Sequence, residues 1–241
     1  MSIFTSLLEA IAPFRCRLCS LPAGRSLPLC LPCQQAIAWN RNCCNRCALP
    51  LASGEECGAC LKHPPTISHA LAPRFYGEPV DELISALKYR RDTSLTPVLA
   101  ELMAPAIADW LRGQSSPDAL VPMPMHWQRQ VRRGFNQAEL IIRCLVQHPA
   151  LQDCKLQPAF RLVRRDRGGL PQQGLSRRAR LANLDGVFRC TSDVAGKYLV
   201  IVDDVLTTGA TVEALARVLL SAGALRVDTW CCARTPQPCN P

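Results

Sequence analysis

The stretch "YLVIVDDVLTTGAT", residues 198–211, decides the fold. Apolar residues run into Asp203 and Asp204, and a Thr-Thr-Gly-Ala-Thr turn follows at 207–211. A short apolar run closed by turn residues reads as a buried strand. Beyond it, Val212–Ser221 reads as a helix, stopped by Gly223. Ligands of an open parallel sheet gather at the carboxyl ends of strands, where the two acids stand. At the following helix N-terminus, free N–H groups and the helix dipole favour an anion, phosphate best of all. Thr207, Thr208 and Thr211 add hydroxyl donors around Ala210, and Gly209 lets the backbone approach closely. Two carboxylates can accept hydrogen bonds from vicinal hydroxyls. Sugar diol and phosphate on one turn describe a ribose 5-phosphate. The plain competitor is an ordinary strand end with a surface Asp pair.

The flanking sequence supplies the rest of an α/β pattern. Residues 61–75 are proline-rich and read as a linker entering a first strand near 67–75. Val80, Leu83, Ile84 and Leu87 recur at helical spacing, in a helix that ends at "KYRRD". A second helical stretch, about 94–112, is expected to bend or break at Pro105. "ALVPMP", 119–124, reads as a buried strand, and "MHWQRQVRRGFNQ" as a loop. Then comes a helix from about Asn136, its N-cap, to Gln147. "LRVDTWCCAR" closes as a last strand. Alternating strands and helices imply a parallel sheet. Residues 155–190 break the rhythm and are expected to form an irregular hood.

Nine of the 15 cysteines lie between residues 16 and 60. Cys16/Cys19, Cys30/Cys33, Cys44/Cys47 and Cys57/Cys60 are each C-x2-C, a turn that aims two thiolates at one ion. Two such turns close a tetrahedral four-cysteine site suited to Zn2+. Eight ligands predict two structural zincs, with sequential or interleaved pairing both open. The competing use of C-x2-C is redox chemistry. So short a ribbon has few large apolar residues to bury and should need its metal to fold. Replacing Cys16 or Cys57 by Ser is expected to unfold the ribbon and leave the sheet folded.

Lys and Arg outnumber Asp and Glu by 28 to 19, a net charge of +9. That balance favours polyanions, and it also fits a merely solvated basic surface. The N-terminus makes a poor signal peptide. Ile3, Phe4, Leu7, Leu8 and Ile11 fit one face of a short docking helix. No run of about 18 apolar residues exists to span a bilayer. A cytoplasmic setting is expected, with cysteines reduced or metal-bound. The organisation expected is a helix and double zinc ribbon over residues 1–62 and the α/β unit over 63–241.

"VIVDDVLTTGAT" resembles the phosphoribosyl diphosphate (PRPP) motif of type I phosphoribosyltransferases. The likeness widens through "LKY" at 87–89, "VPMP" at 121–124, "RRGFNQAELI" at 132–141 and "QGLSRRARLANLDGVF" at 173–188. Together these resemble the ComF family, which joins a double zinc ribbon to a phosphoribosyltransferase-like domain with a hood. The resemblance implies PRPP bound with Mg2+ by Asp203, Asp204 and residues 207–211. It places Arg132 and Arg133 in the pyrophosphate loop and brings Lys88 within reach of the same anion. Phe135 is either a base-stacking ring or a core ring. The family's link to DNA uptake implies single-stranded DNA and the uptake machinery at the inner membrane face as partners. Arg164, Arg165, Arg167, Arg177, Arg178 and Arg180 are then the candidate DNA contacts, or else a solvated basic face. Gly169 stands where ComF members usually carry Thr. Salvage enzymes of the hypoxanthine type carry an Asp where this chain has Thr207, and Thr is no general base near neutral pH. A phosphoribosyltransferase of base salvage and a PRPP-sensing regulator remain the alternatives.

Overall fold

The computed structural model describes residues 14–23, 27–166 and 186–236. The docking helix expected over Ile3–Ile11 lies outside them, as do Arg167, Arg177, Arg178 and Arg180.

The expected first strand is split. β1 (Ala70–Leu71) and β2 (Arg74–Phe75) both pair in parallel with the last strand, β7 (Arg226–Arg234). Between them Pro73 offers no N–H to the ladder. Inside the sheet β7 pairs with β6 (Tyr198–Leu206), and β6 with β3 (Ala119–Pro122), all parallel, in the order β1-β7-β6-β3. β6 runs two residues past Asp204, so the acids lie inside the strand end and the loop begins at Thr207.

Both faces of β6 and β7 are covered, which is why they read as near-continuous apolar runs. Val200, Val202, Trp230 and Cys232 pack on one side, against α3 (Val80–Tyr89), α4 (Thr96–Leu111) and α6 (Gln137–Gln147). Leu199, Ile201, Val227 and Cys231 pack on the other, against α7 (Ala210–Ser221). All four apolar positions that marked α3 are buried.

Of the bend or break expected at Pro105, the break does not occur: α4 is one helix through the proline, although an internal proline costs about 3 kcal/mol. Leu99, Leu102, Met103 and Ile107, fully buried on either side of it, hold both halves against the core. A second expectation is corrected outright. The expected loop at 125–137 contains a helix, α5 (Trp127–Arg133), ended by Gly134 at φ +89°. α5 buries none of its residues, so it has no apolar period to detect. The Asn136 side chain does cap α6, accepting from the Ala138 N–H at 3.0 Å, and donates to the Met123 carbonyl at 3.1 Å. In the expected hood, β4 (Val163–Arg165) and β5 (Phe188–Cys190) form a small antiparallel sheet.

The cysteine-rich segment, with helices α1 (Leu31–Ala36) and α2 (Gly58–Lys62), shares the main core. Cys16, Leu29, Cys30 and Ile37 are buried in the same cluster as α3 and α4. Asn40 donates to the carbonyls of Ala48 and Ala72, at 2.9 and 3.0 Å. Arg74, 2% exposed, sits 3.5 Å above the Trp39 ring and donates to the Ile37 carbonyl at 2.8 Å. No helix among the described residues is long and apolar enough to cross a membrane.

Candidate functional site

The eight C-x2-C cysteines gather in sequential order. Cys16, Cys19, Cys30 and Cys33 form one cluster, and Cys44, Cys47, Cys57 and Cys60 the other, with sulfurs in each within 4.8 Å of one another. A tetrahedron with Zn–S bonds of about 2.3 Å has edges of about 3.8 Å. The Sγ atoms of Cys19 and Cys30 are 3.6 Å apart, and those of Cys47 and Cys57 3.7 Å. These spacings suit four thiolates around one zinc and are far too long for disulfides. The two four-cysteine clusters fit structural zinc, with every coordination position supplied by protein.

At the carboxyl end of β6, Asp204 is 2% exposed and Asp203 half-buried. Lys88, from the last turn of α3, approaches Asp204 with Nζ 2.9 Å from Oδ1 and 2.8 Å from Oδ2. Lys88 reaches both carboxylate oxygens, and Oδ2 meets no further donor inside this buried site among the described residues. Lys88 is thus engaged by the acid pair. Burial works against its charge, but Asp204 and Asp203 outweigh it and raise its pKa. Burial and the Asp204 charge push the Asp203 carboxyl up to about 7, against the pull of Lys88 and Arg133. Asp203 Oδ1 accepts the Asp204 N–H at 2.9 Å.

The turn from Thr207 to Thr211 closes on α7. Gly209 has φ +77°, the left-handed conformation that a side chain would strain. Thr207 and Thr208 are exposed, Thr211 half-buried and Ala210 buried.

Arg234, at the end of β7, is what holds this turn, and sequence reasoning passed it over as a strand residue. It is 4% exposed and has no acidic partner among the described residues. Its Nη1 donates to the carbonyls of Leu206 at 3.0 Å, Thr235 at 2.7 Å and Thr207. Its Nε donates to the Cys47 carbonyl at 2.8 Å, tying the turn to the second cysteine cluster. The available signal was a lone cation ending an apolar strand, which must be buried with it. Arg234→Met is expected to lower stability by about 3 kcal/mol, read by urea unfolding, because several carbonyls lose a charged donor at once. Arg234→Lys is expected to recover little, since an ammonium lacks the planar fork.

A cavity of about 410 Å³ lies between the turn and the second cysteine cluster, lined by Leu49, Ala59, Ile67, Thr207, Thr208 and Arg234 among others. A separate pocket of about 310 Å³ is lined by Lys88, Tyr89, Arg91, Arg129, Arg132 and Arg133. Lys88 and both expected arginines therefore come together beside Asp204, joined by two arginines that sequence reasoning missed. Arg133 donates to Gln137 Oε1 at 2.6 Å, and Arg91 to the Arg132 carbonyl at 2.5 Å. Phe135 packs against the main core. Arg164 and Arg165 lie on β4, Arg165 with its guanidinium 5.5 Å from the Phe188 ring centre.

A phosphoribosyl transferase domain matches residues 106–239, and a double zinc ribbon domain matches residues 7–61. The chain is 34% identical over 227 residues to the DNA utilization protein YhgH of Escherichia coli (strain K12), covering 92% of this chain and 98% of that one. It is 30% identical over 212 residues to Competence protein F of Haemophilus influenzae, covering 86% and 90%. Among solved structures, a Trypanosoma cruzi hypoxanthine phosphoribosyl transferase aligns at TM-score 0.36 and 15% identity, over 58% of this chain and 72% of that one. The chain belongs to the ComF family, in which a double zinc ribbon precedes a phosphoribosyl transferase domain.

Proposed function

We propose that this protein binds PRPP on a phosphoribosyltransferase fold and acts in DNA uptake or utilisation, holding single-stranded DNA in the cytoplasm. The observation that carries the PRPP part is the arrangement at the end of β6. A buried carboxylate, Asp204, whose one donor among the described side chains is the Lys88 ammonium, stands beside a glycine-opened helix N-terminus and a pocket of five cations. The acids receive the ribose hydroxyls, residues 207–211 the 5-phosphate, and Arg132 and Arg133 the pyrophosphate. Lys88 holds Asp204 in place and lies within the same pocket. Mg2+ would be held by the ligand's pyrophosphate oxygens with help from the two carboxylates, a hard-oxygen set that suits it, and would neutralise the diphosphate. The division of the chain at 62/63 belongs to this proposal, with the ribbon as scaffold and the remainder as binding unit.

The DNA part rests on the names of the relatives and on the basic surface. A salvage enzyme has one observation in its favour, the mostly apolar cavity beside Thr207 and Thr208, where a flat heterocycle fits. Calorimetry should show PRPP binding that depends on Mg2+, and incubation with PRPP and a panel of bases should yield no nucleotide. Absence of PRPP binding removes the proposal. Nucleotide formation with one base makes the protein a salvage enzyme.

A further inference from the structure

Three of the eight large apolar side chains exposed among the described residues, Tyr89, Trp127 and Val131, lie at the basic pocket or on the helix that helps to line it. On α5, Trp127 is 60% and Val131 76% exposed, one turn apart and so on one face. Tyr89, 72% exposed, lines the pocket itself. The chain has four tryptophans. Trp230 is buried and Trp39 and Trp110 are half-buried, which leaves Trp127 alone at the surface.

The charges beside these rings are not neutralised. Lys88 is engaged by Asp204, but Arg91, Arg129, Arg132 and Arg133 have no carboxylate within 4 Å among the described residues. Arg91 and Arg133 are instead fixed by neutral acceptors, which orient a guanidinium and leave its charge intact. Burial lowers the Arg133 pKa, with Arg129 and Arg132 adding to the fall and the Asp204 charge and Tyr89 opposing it. Tyr89 lines the pocket, while Trp127 and Val131 stand on the face of α5 opposite Arg129 and Arg133, so a single strand crossing the helix would meet the two parts of a binding site: stacking for bases of any sequence, cations for the backbone.

We propose that single-stranded DNA docks across α5, its bases stacking on Trp127 and Tyr89 and its phosphates entering the pocket of Arg91, Arg129, Arg132 and Arg133. This deepens the DNA reading above and rests on it. It also moves the contact surface from the arginines of 164–180 to the helix that precedes α6. An acidic protein partner is the rival occupant, because Trp, Tyr and Arg also dominate protein interfaces.

The test uses the full chain and an oligo-dT of about 15 nucleotides, within the span of one such groove. Tryptophan emission should be quenched on binding. Trp127→Ala should weaken binding roughly tenfold. Trp127→Phe should keep most of the affinity and lose most of the quenching. The exposure of Trp127 makes all these variants foldable, which a melting curve checks. Arg129→Ala combined with Arg132→Ala should flatten the log–log salt dependence by about 0.7 for each phosphate no longer neutralised. Inorganic pyrophosphate at constant ionic strength should displace the oligonucleotide from the pocket. If the wild type binds DNA but Trp127→Ala binds equally well, or pyrophosphate does not compete, the docking surface is wrong and the DNA reading stands. If no oligonucleotide binds even at low salt, the DNA reading falls, and the acidic protein partner becomes the occupant to pursue.

Discussion

Cys57→Ser is expected to cost the protein most of its folding stability rather than melt a detachable ribbon. A structural zinc site contributes about 10–16 kcal/mol of apparent binding energy in a small domain. A whole domain is stable by only about 5–15 kcal/mol. The loss of one site is therefore comparable to the entire margin wherever the ribbon and the sheet fold together. Here they do. Arg234 bridges the Cys47 carbonyl to the turn at 206–207. The Ala70 N–H of β1 donates to the Asn45 carbonyl at 2.9 Å, between two ligands of the second cluster. Cys16 and Cys30 of the first cluster sit within the main core. Elemental analysis should give close to two zincs per chain. Stepwise chelation followed by circular dichroism should show ribbon and sheet losing structure in one transition. Two separate transitions, with the sheet unchanged after zinc release, would show the ribbon to be a free-standing unit, as its sequence alone implies. Iron in place of zinc would overturn the metal assignment.

That contrast shows where the sequence was readable. Metal ligation was legible because C-x2-C is a local geometry, repeated four times. The strand β6, its acids and the helix after them were legible for the same reason. Burial on both faces writes a continuous apolar run, and the turn residues stand next to it in sequence. The union of ribbon and core was not legible, because it is made by residues with no periodicity. Asn40, Arg74 and Arg234 are polar side chains buried by long-range partners, and each looks like a surface residue in a linear reading. Arg91 and Arg129 join the basic pocket from two separate connections, one of them a helix that no apolar pattern announces. Lys88, singled out for the pyrophosphate, does line the basic pocket, and it has a second partner that no linear reading shows. Its cation, 116 residues away from Asp204 in sequence, is engaged by that carboxylate.

The two adjacent acids are expected to respond to the same substitution with opposite changes in stability, and this separates binding from folding. Asp204→Asn leaves the Lys88 ammonium beside a neutral amide in a site where Asp204 was 2% exposed. Breaking a fully buried pair costs about 3–5 kcal/mol. Lys88 is 21% exposed in its side chain, so about 2 kcal/mol is the reasonable scale. Asp203→Asn removes a carboxylate whose charge is already opposed by burial and by its neighbour. Its pKa rises from the ordinary 3.8 to about 7. Between those values the folded chain holds a proton that the unfolded chain releases. Stability contributed by this group is thus present at low pH and lost as pH rises toward about 7. Urea unfolding from pH 4 to pH 8 should show that decline in the wild type and not in Asp203→Asn, which should be the more stable of the two at pH 8 by about 1 kcal/mol. Both variants should nevertheless lose PRPP affinity by at least an order of magnitude, since charge-assisted hydrogen bonds to the ribose are worth about 1.5–3 kcal/mol each. Weak binding by Asp204→Asn alone would be ambiguous, because its fold is damaged. Asp203→Asn has no such excuse. A variant more stable than the wild type that no longer binds Mg2+ and PRPP at pH 8 assigns the carboxylate to the ligand, and one that binds them with undiminished affinity sinks the assignment.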